Sequence, residues 1–101
     1  MKMEKFGYPC EYYMDAIKTH HWVFNFDNKY GVSVIGGGQP NVLSMIYGDG
    51  KNNFEVAILR NGAIVYDTPL TNNVLPYQTT DDVRKILDTV SRWKKGAKGW
   101  E

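Results

Sequence analysis

The sequence predicts an α+β domain: an antiparallel sheet of about five strands, close to the usual sheet size, covered on one face by a C-terminal amphipathic helix, with a short N-terminal helix at its margin. Two observations carry this. Asn61-Gly62 stands between two runs of β-branched and apolar residues inside NFEVAILRNGAIVYDTP, Asn53 to Pro69. Asn and Gly both tolerate the positive φ that a two-residue type I′ turn requires, so the pair marks a hairpin. The second observation is the spacing of Val83, Ile86, Leu87, Val90 and Trp93, an apolar stripe of helical period that needs a surface to lie on. A sheet face is the large apolar surface the chain can offer.

In the hairpin, Arg60 faces Ala63, Leu59 faces Ile64 and Ile58 faces Val65. Alternation places Phe54, Val56, Ile58 and Val65 on one side, and Ala57, Leu59, Ile64 and Tyr66 on the other. Both sides are largely apolar. The pair is therefore either covered on both faces, or covered on one and used for binding on the other.

From the N-terminus, residues 1–8 read as a loose leader. Pro9 to Lys18, PCEYYMDAIK, reads as a short helix, with Pro9 in its first turn and Tyr13, Met14 and Ile17 on one side. Trp22 to Phe26 alternates as a strand, Asp27-Asn28-Lys29 is a turn, and Tyr30 to Ile35 is the returning strand. Residues 36–40, GGGQP, form a loop or bulge. They match neither phosphate-binding pattern, because Gln39-Pro40 interrupts before a helix can start. Asn41 to Tyr47 reads as a further strand and residues 48–53 as a turn cluster. Asp49-x-Lys51-x-Asn53 lacks the Gly and the bidentate Glu of a calcium loop. Leu70 to Gln78 reads as a loop containing Pro76. Thr79, with Asp82 three residues on, opens the final helix as a variant capping box. Asp81–Lys85 and Asp88–Arg92 are i,i+4 pairs, and Gly96 is the expected stop.

Length and composition place all of this in one domain, residues 1–101. The chain carries 7 Tyr, 3 Trp and 4 Phe, enough apolar material for one core. Its single Cys10 fits a reducing compartment, MKMEKFGY has no apolar signal-peptide core, and no apolar run approaches the ~20 residues that span a bilayer. No membrane partner is expected. Net charge is +1, but it is unevenly placed. Residues 61–83 carry Asp67, Asp81 and Asp82 with no Lys or Arg, whereas residues 84–101 carry Arg84, Lys85, Arg92, Lys94, Lys95 and Lys98 against Asp88 and Glu101.

The motifs that carry chemistry are sparse. His20 and His21 are adjacent and would point to opposite faces of a strand. With Cys10 they make too few ligands for zinc, so no metal or cofactor is expected. Ser33, Ser44 and Ser91 lack a nucleophile elbow. Cys10 with either histidine is a nominal thiol–imidazole pair without a third group to orient it. The chain is read as a non-enzyme.

Four short motifs recur together here: YGVSV (Tyr30 to Val34), E-x-A-x-L (Glu55 to Leu59), YDTP-x-T (Tyr66 to Thr71) and DV-x-x-x-L (Asp82 to Leu87). In this order the run from Phe24 to Val90 resembles a family of small, uncharacterised bacteriophage and prophage proteins. The resemblance implies a setting, the cytoplasm of a bacterial host, and no activity. Within that setting the first expectation is a protein that binds a bacterial host protein, for instance as an anti-CRISPR-like inhibitor of host defence. Tyr12, Tyr13 and Trp100 are the aromatic candidates for contact, since Tyr and Trp are enriched on binding surfaces. The alternative is nucleic-acid binding through the tail, where Arg92, Lys94, Lys95 and Lys98 interleave with Trp93 and Trp100. A minor virion or assembly role, or a homodimer through an exposed strand edge, completes the set.

Overall fold

The computed structural model describes residues 1–16, 18–37, 53–65, 68 and 74–94. Among these, seven strands form one antiparallel sheet and one helix packs against it. In chain order the elements are β1 (Lys2–Lys5), β2 (Tyr8–Met14), β3 (Thr19–Asn25), β4 (Tyr30–Gly37), β5 (Asn53–Arg60), β6 (Ala63–Val65), β7 (Leu75–Thr79) and α1 (Thr80–Ser91). Strands β1 to β6 follow one another across the sheet, and β7 pairs with the N-terminal half of β5. The fold is the α+β arrangement expected, with seven strands where about five were.

The Asn-Gly hairpin forms as the pattern requires. Arg60 faces Ala63, and Asn61 and Gly62 take φ of 52° and 82°, so both residues sit in the left-handed region of a type I′ turn. The hairpin of β3 and β4 is equally regular, from Asn25↔Gly31 to Thr19↔Gly37. Gly31 is required by close approach: a Cβ there would run into the Phe24 carbonyl.

The N-terminal half differs from expectation. Residues read as a loose leader and a short helix form the hairpin β1–β2, paired from Lys2↔Glu11 to Lys5↔Tyr8. Its turn is Phe6-Gly7, with φ of 57° and 85°. A bulky residue in the left-handed region is strained, and the strain is met by packing. The Phe6 ring lies edge-on to Phe54 at 5.2 Å and tilted against Phe24 at 6.2 Å. Residues 8–14 also alternate, since Tyr8, Cys10 and Tyr12 turn inward; the spacing of Tyr13 and Met14 that suggested a helix is incidental to that alternation. A second difference lies in the segment 70–78 read as a loop, where residues from Leu75 form β7. Pro76 is tolerated because β7 borders the sheet. The strand read at Asn41 to Tyr47 and the turn at residues 48–52 lie outside the described residues.

One face of the sheet carries the core. Trp22, Phe24, Tyr30, Val32, Val34, Phe54, Val56 and Ile58 pack against Val83, Ile86, Leu87 and Val90 of α1. Each such buried side chain contributes about 1.5–3 kcal/mol. The capping box forms: Asp82 N–H donates to Thr79 Oγ1 at 3.1 Å, and Thr79 N–H to the Asp82 carboxylate at 3.0 Å. The helix ends at Ser91 with Arg92 as C-cap, earlier than the Gly96 stop. Of the two helical ion pairs expected, Asp88–Arg92 forms at 3.1 Å and Asp81–Lys85 does not. Asn28, in the β3–β4 turn, donates to the carbonyls of Val90 and Trp93 at 2.8 and 2.9 Å and so ties the helix end to the sheet. No helix among the described residues is long and apolar enough to cross a membrane.

Candidate recognition surface

The helix covers one face; on the opposite face Glu55, Ala57 and Leu59 of β5 are buried, and the β2 end is the part open to solvent. Strand register builds a row there. Tyr13 faces His21, His21 faces Ile35, and Ile35 faces Glu55, from β2 to β5. Three strand spacings separate the ends, roughly 14 Å. Along the row, Tyr13 is 51% exposed and Glu55 only 8%.

The exposed end is rigidly made. The connection after β2 is organised by Asp15. Its carboxylate accepts from the Thr19 N–H at 3.0 Å and from His21 Nε2 at 2.8 Å, while its own N–H donates to the Thr19 carbonyl at 3.1 Å. His21 is thereby held in orientation, and Tyr13 stacks flat upon it, 4.4 Å between ring centroids at 7°. Met14, 47% exposed, is the next residue but pairs with His20 and so turns to the other face. An exposed aromatic ring with its rotamer fixed from beneath loses little entropy when a partner covers it.

The next residues along each strand turn to the helix side and stack separately. Tyr12 lies parallel to His20 at 5.9 Å, and His20 to Trp22 at 5.7 Å. Tyr12 Oη and His20 Nδ1 share a 2.7 Å hydrogen bond. Trp22 meets Phe54 edge-on at 5.7 Å, which joins this ladder to the core. The two histidines thus face opposite sides of β3, as adjacent strand residues must. Among the described residues no three His, Cys, Asp or Glu side chains gather as a metal set.

The candidate contact residues fall into separate places. Tyr12 is half-buried and spent on its stack, and Tyr13 is exposed. Arg92 is exposed but paired with Asp88, and Lys94 is exposed just past the helix. Lys95, Lys98 and Trp100 lie outside the described residues. The Tyr8 hydroxyl donates to Asp88 at 3.3 Å, which sets the Arg92 end of α1 beside the start of β2. Tyr13 is near the other end of that strand, roughly 17 Å away. Among the described residues, therefore, Tyr13 does not share one surface with Arg92 and Lys94. Asp15, His21 and Glu55 were missed by sequence reasoning. The alternation in Tyr8 to Met14 was the one signal present, because it would have put Tyr13 and His21 on facing strands.

Electrostatics separate the remaining groups. The Cys10 thiol is buried in the core. Burial pushes its pKa up, the charge of Glu11 adds to this, and Lys5 and the N-terminal ammonium oppose it. A thiol so placed is a poor nucleophile at neutral pH. Glu55 is also raised, by burial alone. No protein-family model, curated protein or solved structure matches the chain.

Proposed function

We propose that this protein is a recognition module that binds another protein through the helix-free face of its sheet, with Tyr13 as the first contact. The observation that carries the reading is the Tyr13–His21–Asp15 stack. It costs a designed-looking set of contacts to hold one aromatic ring rigid and in solvent, and such anchors dominate binding energy at protein interfaces. The resemblance to bacteriophage and prophage proteins supplies the setting: the partner is a bacterial host protein, met in the host cytoplasm, and a component of host defence is the form of partner this reading favours. No catalytic step is assigned.

The basic tail supports the alternative less well. Arg92 is engaged with Asp88, which leaves Lys94 as the exposed cation in the described part of that segment.

Affinity capture from bacterial lysate separates the readings. A host protein enriched by the wild-type chain should be retained by Lys94→Ala and weakened by Tyr13→Ala by about tenfold or more, the loss expected of an interface anchor. Capture unaffected by Tyr13→Ala, or abolished by Lys94→Ala together with nuclease treatment, would move the function to the tail.

A further inference from the structure

At the buried end of the same row, a cavity of about 140 Å³ opens on the helix-free face, lined among the described residues by Ser33, Ile35, Glu55, Ala57, Ile64 and Val74. Four of these are apolar. The Glu55 carboxyl is the charged group of the lining. The residue is 8% exposed, and its carboxyl makes no hydrogen bond or ion pair among the described residues. No other charge accounts for its raised pKa, which burial alone causes. A buried carboxylate without a partner is costly, and proteins ordinarily supply one from their own side chains. Ile35, opposite it on β4, and Ala57, next on the same face of β5, bring no charge, and the nearest titratable residue in its row is His21, on the far side of Ile35.

We infer that this cavity is a binding site for a single aliphatic ammonium group, with Glu55 as counter-ion and Ile35, Ala57, Ile64 and Val74 as walls for the methylenes. Size excludes larger ligands, since sites for drug-sized molecules run to about 300–1,000 Å³. The space is room for roughly four or five waters, the scale of one short alkyl chain. Donor count agrees. An ammonium offers three N–H donors and no acceptor, and among the described residues the cavity offers the two Glu55 oxygens and the Ser33 hydroxyl. Access is given by Ile64, 45% exposed at the rim. The chemistry is shared by free alkylamines and by a lysine side chain of a protein.

The test is a titration of methyl-labelled protein with n-butylammonium chloride, read by NMR at Ile35, Ala57 and Ile64, with n-butanol and sodium chloride as controls. Saturable shifts with a roughly millimolar dissociation constant are expected, absent for n-butanol and at least about tenfold weaker in Glu55→Gln, because a hydrogen bond to a charged group is lost. Glu55→Gln keeps the size of the side chain and removes a buried charge, so it should fold. A lysine-containing peptide and its acetyl-lysine counterpart separate the sources. Tighter binding of the peptide than of n-butylammonium, lost on acetylation, assigns the site to a protein lysine; parity of the two assigns it to a free amine. No saturable shift up to about 100 mM, or equal binding by Glu55→Gln, overturns the inference. The titration uses no protein partner, so its result is independent of the role given to Tyr13.

Discussion

Asn28 makes three hydrogen bonds from a position 8% exposed: its amide donates to Val90 and Trp93 carbonyls, and its Oδ1 accepts from the Tyr30 N–H at 2.9 Å. Helix carbonyls at a C-terminus have no partner within the helix, and here a turn on the sheet supplies one. Asn28→Ala should cost about 1–3 kcal/mol, because it strands buried polar groups on both sides, measurable as a lower urea midpoint at unchanged m-value. Glu55 works in the opposite direction. Its pKa is raised above 4.5 in the fold. Below that value both states hold the proton and no penalty exists. As pH rises, the unfolded chain ionises first, so the fold loses relative stability until pH passes the raised value. Glu55→Gln should therefore leave stability unchanged near pH 3 and raise it at pH 7.5. Equal unfolding midpoints for the two proteins at both pH values would show that the carboxyl is not desolvated. Neither residue could be assigned this way from sequence. Asn28 reads as a turn residue and Glu55 as a strand residue, and what distinguishes them is made by distant parts of the chain.

At the scale of elements, the parts that local chemistry specifies were legible. Asn61-Gly62 fixes its own turn, Thr79 and Asp82 fix the start of α1, and the stripe from Val83 to Val90 fixes the face it buries. The N-terminal hairpin was not legible, because its turn residue Phe6 is held in a left-handed conformation by rings from β3 and β5, contacts that no local pattern announces. The same holds for β7, where Pro76 argues for a loop until the strand is known to border the sheet. The helix start offers a direct check. The Thr79 backbone N–H first, and its hydroxyl hydrogen bond second, hold the Asp82 carboxyl below its ordinary 3.8, with Lys85 helping and slight burial opposing. A depressed acid contributes stability that is present above the unfolded value and lost as pH falls through the folded one. Thr79→Ala should cost about 1 kcal/mol at pH 7, with a smaller difference below pH 3, followed by circular dichroism during thermal unfolding. A cost that stays constant with pH would mean that the Thr79 hydroxyl takes no part in holding the acid, leaving the Thr79 backbone N–H to do so.

Across the whole molecule, the helix commits one face of the sheet to the core, and on the other the register lines up a row from Tyr13 to Glu55. One half of that design was visible beforehand, in the two apolar faces of the central hairpin and the single amphipathic helix available to cover them. The row itself was not, because it joins four strands whose pairing is set by the tertiary fold. Its two ends differ in kind: a ring held out in solvent on β2, and a carboxyl withdrawn from it on β5. Edge strand β1 carries Lys2, Glu4 and Lys5, and such charge discourages pairing with another chain at that edge. The most direct test places a photoreactive p-benzoylphenylalanine at Tyr13 in one protein and at Arg84, on the exposed side of α1, in another, and irradiates both in bacterial cells. A partner cross-linked from position 13 and not from position 84 is predicted; a partner cross-linked from position 84 alone would contradict the account.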